Sequence, residues 1–186
     1  MPARTLTDTR LAVVAYPTLE AADRSWIDTI RAGHDPQAPA IEAHVTLLFP
    51  CRAARRLVEA ALASAASATG PIEFSLDHAA AVADARGPGG HVFLVVGRGA
   101  GAITSLHHRL YAGELRRHLP PEIPYVPHIT VGAADHEACG KLASSLNRHF
   151  RPMTGTIARL DIVSIRRRTI ESIASIPLFP PEHTTR

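Results

Sequence analysis

The sequence predicts a mixed α+β protein made of two similar lobes that share a cleft. Strand-like and helix-like stretches alternate along its whole length. One short pattern, His-aliphatic-Thr-aliphatic, occurs twice: His44-Val45-Thr46-Leu47 and His128-Ile129-Thr130-Val131. Each copy reads as a strand followed by a helix, and the copies lie 84 residues apart in a chain of 186. A duplicated strand-helix unit is the simple explanation.

The elements follow in order. Residues 11–16 form a short apolar run ended by Pro17-Thr18, a buried strand. Thr18 can cap a helix that sets Leu19, Ala22, Trp26, Ile27 and Ile30 on one face. Gly33 and Asp35-Pro36 stop it. Residues 43–49 read as a strand closed by Pro50, before a helix with Leu57, Val58, Ala61, Leu62 and Ala65 inward. Gly70-Pro71 ends that helix. Ile72, Phe74 and Leu76 alternate with Glu73, Ser75 and Asp77, the mark of a half-exposed strand. Gly87-Pro88-Gly89-Gly90 then turns the chain into a strand at 92–96, so a hairpin is expected. A helix over 102–118 places Ile103, Leu106 and Leu110 inward. Pro120, Pro121, Pro124 and Pro127 force an extended approach to the strand at 129–131. Asp135 can cap a helix with Ala138, Leu142 and Leu146 inward. Strands at 156–166 and 170–178 complete the chain, and 180–186 is expected to be a loose tail. No linker or shift in composition divides it, so residues 1–186 are read as a single domain.

Composition narrows the function. Hydrophobic residues make up 46% and charged residues 20%, which suits a soluble globular protein with a real core. No apolar run is long enough to span a bilayer. The opening Met1-Pro2-Ala3-Arg4-Thr5 lacks the pattern of a secretory signal, and Cys51 and Cys139 make no disulfide framework. A cytoplasmic protein acting as a monomer, away from membranes, is expected. The net charge of +3 permits an anionic substrate but is too small for a dedicated binder of duplex DNA. Eleven histidines are many for this length, and histidine moves protons near neutral pH.

The chemistry lies in the repeated pattern. In a strand, residues i and i+2 point to one face, about 6.5–7 Å apart. His44 and Thr46 therefore share a face, with Val45 and Leu47 on the other; His128 and Thr130 repeat this against Ile129 and Val131. The aliphatic faces anchor each strand to a core. If a pseudo-two-fold axis relates the units, both polar faces line one cleft. Two imidazoles and two hydroxyls suit phosphodiester chemistry without a metal. One imidazole takes a proton from the attacking hydroxyl or water, and the other gives a proton to the departing oxygen. The hydroxyls donate to the nonbridging phosphate oxygens, where charge builds. Both imidazoles are expected to work without large pKa shifts, giving a pH-rate bell with limbs within about pH 5–8.

The paired motifs resemble those of the 2H phosphoesterase superfamily, and the whole chain is similar to its 2′-5′ RNA ligase-like branch. The likeness includes residues 11–16, His44-Val45-Thr46-Leu47-Leu48-Phe49-Pro50, Tyr125-Val126-Pro127-His128-Ile129-Thr130-Val131 and the late strands up to Pro177-Leu178. It implies an α+β fold of two pseudo-symmetric lobes, each a small antiparallel sheet with outer helices, around a central cleft. It also implies that His44 and His128 are catalytic and that Thr46 and Thr130 bind substrate. Members often carry an arginine shortly after the second motif, where this chain has Gly132, Ala133 and Ala134. Phe49-Pro50-Cys51 stands where many members read Phe-Leu-Gly. The implied activity is a phosphoesterase, with no metal or other cofactor, acting on a cyclic phosphate or a 2′-5′ linkage. Its expected partner is a nucleotide or an RNA end bearing a phosphate.

Other residues have a plain structural reading beside the functional one. In the run Arg166-Arg167-Arg168, Arg166 and Arg168 share a face, and Arg166 is the candidate to steer a phosphate. Tyr125 is a candidate cleft wall able to stack on a base, whereas Phe49 is equally a core residue. Arg52, Arg55 and Arg56 read mainly as an exposed helix start, and His34-Asp35 as an exposed loop near the cleft. His136 and Cys139 have metal-ligand spacing but no second cluster. The alternative to an enzyme is a nucleotide or RNA-end binding module with little turnover. Turnover assays on cyclic phosphates separate the two.

Overall fold

The structure, a computed structural model, describes residues 9–167 and 169–179. The opening residues, Arg168 and the tail 180–186, on which the sequence reading also touched, lie outside them. Two antiparallel sheets form the framework. The first has the order β3-β1-β8-β9 and the second β2-β7-β4-β5-β6. Their strands are β1 Thr9–Ala15, β2 Thr18–Leu19, β3 Val45–Cys51, β4 Ile72–Ala83, β5 Gly89–Val96, β6 His128–Asp135, β7 Met153–Ile157, β8 Arg159–Arg166 and β9 Thr169–Pro177. Helices α2 (Arg55–Ser67) and α3 (Ala100–Leu110) pack on the first sheet's side, and α1 (Ala21–His34) and α4 (His136–Asn147) on the second's. The α+β class, the two lobes and the outer helices match the expectation. No helix among the described residues is long and apolar enough to cross a membrane.

The core is built from the faces that the sequence pattern marks. Val13, Ala15, Val45, Leu47, Leu160 and Ile162 of the first sheet meet Phe74, Leu76, Leu94, Ile129 and Val131 of the second in one buried cluster with Ile27, Val58, Leu62, Ile103 and Leu106. Each such aliphatic or aromatic side chain contributes about 1.5–3 kcal/mol through burial. Asp135 caps α4 as its position suggests, accepting from the Ala138 amide at 2.8 Å.

Four boundaries differ, each for a local reason. Thr18 pairs in β2 instead of capping α1, whose cap position is Glu20. The helix expected over 102–118 ends at Leu110, and two residues later Gly113, with a φ of 62°, opens a separate 3-10 helix over Gly113–His118. Pro50 does not close β3, which continues to Cys51; β3 is an edge strand, where a missing N–H is tolerated. The strand read over 156–166 is two strands in different sheets, β7 and β8, divided at Ala158, whose carbonyl accepts from the Leu178 amide at 2.8 Å.

The topology brings the motifs together. β3 and β6 are edge strands of their respective sheets and lie against each other. Each also carries a β-bulge immediately after its motif threonine. Val14 pairs with Thr46 while the adjacent Val13 pairs with Leu48, so Leu47 is the extra residue. Phe93 pairs with Thr130 while Val92 pairs with Gly132, so Val131 is the extra residue. A bulge re-aims side chains: Leu47 and Val131 face the core by alternation, and the bulge turns the next residues, Leu48 and Gly132, to the core as well, so two consecutive residues behind each threonine are buried.

Candidate active site

His44 stands just before β3 and His128 opens β6. Both imidazoles are held the same way. The Nδ1–H of His44 donates to the Glu42 carbonyl at 2.8 Å, and that of His128 to the Val126 carbonyl at 2.5 Å. A carbonyl only accepts, so each ring carries its proton on Nδ1 and presents the Nε2 lone pair. Each uses the carbonyl two residues earlier, so the repeat seen in the sequence is a repeat of geometry. Neighbouring rings restrict both further. Phe93 stacks on His128 with centroids 3.4 Å apart and planes 16° apart, and Tyr16 meets His44 edge-on at 6.3 Å.

The walls beside these groups are apolar. On the first sheet, Ala12, Val14 and Val163 pack with Tyr16, Ile165 and Ile170 on the face that carries Thr46. On the second, the cross-strand register puts Phe93 opposite Thr130 and Val95 opposite His128. His91 continues that row and stacks on Phe93 at 6.0 Å. Burial therefore disfavours charge on both motif histidines. It pulls His128 down to about 4, opposed by the bond to Val126 and assisted by the nearby charges of His44 and His91. It also lowers His44, against the bond to Glu42, with Arg31 lowering it further and Asp35 raising it. The expectation of unshifted imidazoles is thus corrected, because the apolar walls that anchor the strands also desolvate their polar faces.

Thr46 and Thr130 are half-buried on the faces that the register assigns to the cleft. Tyr125 is firmly anchored. Its hydroxyl donates to the Thr46 carbonyl at 3.0 Å, and its ring stacks on the buried His107 at 3.6 Å and 8°. His107 in turn bonds the Leu47 carbonyl through Nδ1 at 2.8 Å. Tyr125 thus ties the approach to β6 onto β3 instead of standing open as a wall for a base. Arg166 is not brought to the other four. The β1–β8 register is regular, so Arg166 lies on the face of Leu160 and Ile162, opposite Asp161, Val163 and Ile165, and its Nε donates to Thr9 Oγ1 at 3.0 Å.

Phe93, His91, Tyr16 and Arg10 were missed by the sequence reading. Arg10 pairs with Ile165 and so lies on the cleft face. The signal for Phe93 and His91 was the period-two alternation of His91, Phe93 and Val95 with Val92 and Leu94, which becomes informative once the hairpin register is known. Among the described residues, no three His, Cys, Asp or Glu side chains are grouped to hold a metal ion.

The family described as the 2′-5′ RNA ligase superfamily matches residues 17–169. No curated protein matches. Among solved structures, E. coli LigT complexed with 3′-AMP is 21% identical with a TM-score of 0.54, covering 92% of this chain and 99% of that one. A protein described as a phosphoesterase is 20% identical with a TM-score of 0.57 and the same coverage. Usb1 of Kluyveromyces marxianus is 10% identical with a TM-score of 0.52, again over 92% and 99%. LigT has also been solved with phosphate, ATP and NADP+. At these identities the likeness establishes the fold.

Proposed function

The chain belongs to the 2′-5′ RNA ligase superfamily, and on that premise we propose that it is a metal-independent phosphoesterase. Its substrate is a cyclic phosphate, on a 2′,3′-cyclic nucleotide or RNA end, or a 2′-5′ phosphodiester. The observation that carries this reading is the matched pair of imidazoles, each with Nδ1–H on the carbonyl two residues earlier and each two residues before a threonine that a bulge follows. The nucleotide and phosphate complexes of LigT support the substrate class.

The reaction follows from proton positions. One neutral imidazole removes a proton from water as its oxygen attacks phosphorus. The other, protonated, gives its proton to the ribose oxygen as the P–O bond breaks, leaving a phosphomonoester. In a pair holding one proton, the proton sits on the more basic member. Burial lowers both imidazoles, so this does not rank them, and we assign His128 as base and His44 as acid in ring opening as the working choice that the kinetics of the two variants tests. Ligation is the same ring opening with a 5′ hydroxyl in place of water, and the roles reverse only when the 2′-5′ linkage is cleaved back to the cyclic phosphate. The hydroxyls of Thr46 and Thr130 donate to the nonbridging oxygens as their charge grows.

Incubation with 2′,3′-cyclic AMP and with a 2′-5′ linked diadenosine, followed by chromatography, tests the reading. The expected result is a phosphomonoester product from wild type and almost none from His44→Ala. Nucleotide binding without turnover of either substrate would leave the binding-module alternative.

A further inference from the structure

His107 is buried, yet the proton transfers described above do not use it. It lies on α3, and Tyr111 follows four residues later at the helix end, so the two side chains share one face. That face meets β3. β3 pairs only with β1, so its outer edge has no strand to satisfy it. Three side chains do so instead. The Tyr125 hydroxyl donates to the Thr46 carbonyl at 3.0 Å, His107 Nδ1–H donates to the Leu47 carbonyl at 2.8 Å, and the Phe49 amide donates to the Tyr111 hydroxyl at 2.9 Å.

The middle bond answers a need that the bulge creates. Leu47 is the extra residue, left without a partner on β1. It is completely buried, so water does not reach its carbonyl. An unbonded carbonyl there is costly, and relaxing the bulge to relieve it would move the adjacent Thr46. His107 removes that cost from outside the sheet. Its ring is fixed in turn by packing. Tyr125 stacks on it at 3.6 Å and 8°, Tyr111 lies 4.9 Å away, and Phe49 meets it edge-on at 5.9 Å.

A threonine hydroxyl helps the developing charge only when it stands within hydrogen-bond range of a nonbridging oxygen. A shift of a fraction of an ångström in its backbone therefore matters. We propose that His107 is a positioning residue: by bonding the bulged Leu47 carbonyl it fixes the backbone that aims the Thr46 hydroxyl at the substrate phosphate. Tyr125 and Tyr111 are the other two members of this clamp. The role rests on the phosphoesterase reading. Thr130 also precedes a bulge, but it lies on β6, outside the clamp, and serves as the control.

A double-variant cycle on 2′,3′-cyclic AMP separates positioning from general stability. His107→Phe keeps an aromatic ring against Tyr125 and removes the donor. It should lower kcat by about tenfold with KM within about twofold, because displacing a hydroxyl weakens a bond that removing it abolishes. In a Thr46→Val background the same substitution should cost less than about twofold, and in a Thr130→Val background the full tenfold or so. An equal loss in both backgrounds would overturn the proposal, as would a folded His107→Phe variant with kcat within about twofold of wild type. If His107→Phe does not fold, Tyr125→Phe takes its place in the same cycle, with the same expected and overturning ratios. If wild type turns over neither cyclic AMP nor the 2′-5′ linked diadenosine, the phosphoesterase reading fails instead. Binding of inorganic phosphate, followed by NMR, then decides the clamp. Weakening by His107→Phe that vanishes in the Thr46→Val background supports it, and binding that is unchanged, or weakened equally in that background, overturns it.

Discussion

Between pH 6.5 and 4 the protein should lose about 3 kcal/mol of stability through His128 alone. In the unfolded chain this imidazole titrates near its ordinary value of 6.5, whereas in the folded protein burial holds it down to about 4. Between those values the unfolded state binds the extra proton, so stability falls as pH falls, and above about 6.5 the contribution is constant. The gap of roughly 2.5 pH units corresponds to the stated energy at 1.36 kcal/mol per unit. His44 and His107 are lowered in the same direction, so the whole-protein slope is steeper than this one contribution. Urea unfolding of wild type and His128→Gln at pH 7, 5.5 and 4.5 isolates it. The variant should show a shallower loss, the difference reaching most of 3 kcal/mol at the lowest pH. An NMR titration should place the His128 midpoint well below 6 in the free protein, and inorganic phosphate should move it upward. An identical pH dependence in wild type and variant, or a free-protein midpoint above 6, would refute the burial argument. The kinetic counterpart is a kcat/KM bell displaced to acid relative to that of kcat, because kcat/KM reports the free enzyme.

Further expectations concern the site directly. His44→Ala and His128→Ala should each cost about 10²–10⁴-fold in rate, with the double variant scarcely worse than either, as steady-state kinetics on the true substrate would show. Thr46→Val and Thr130→Val should each cost up to about 2–4 kcal/mol of transition-state stabilisation, seen mainly in kcat. Turnover should survive extensive chelation; its loss in chelator and return with one divalent ion would assign the chemistry to a metal. Tyr125→Phe removes the donor to the Thr46 carbonyl and should lower stability by about 1–2 kcal/mol in denaturant melts, with kcat falling more than KM rises.

The centre of the site was legible because two periodicities coincide there. His44, Thr46, His128 and Thr130 are polar at alternate positions in otherwise aliphatic strands, and that pattern alone assigns their faces. The bulges after the threonines were not legible, since Leu47 followed by Leu48 looks like any apolar run. The break at Ala158 was hidden for a related reason: alternation continues across it while the partner sheet changes. The face of Arg166 was not legible because it depends on its register with Thr9, a contact between residues 157 positions apart. Tyr125 adjoins a motif in sequence, but its ring is claimed by His107 of α3, a tertiary contact that the sequence around either residue does not announce.

The strand order carries a consequence for how the protein is made. In the first sheet β8 lies between β1 and β9, and in the second β7 lies between β2 and β4. Both of these inner strands follow residue 150, after all four helices and both motifs. A chain emerging from the ribosome therefore has both motif histidines before either sheet is continuous. Until residue 166 is free, β1 offers an unpaired edge lined by Leu11, Val13 and Ala15, the kind of edge that invites pairing with other chains. The long sequence separation of these closing contacts makes the last step slow. Neither lobe can be excised as a working half, because each needs strands from both ends of the chain.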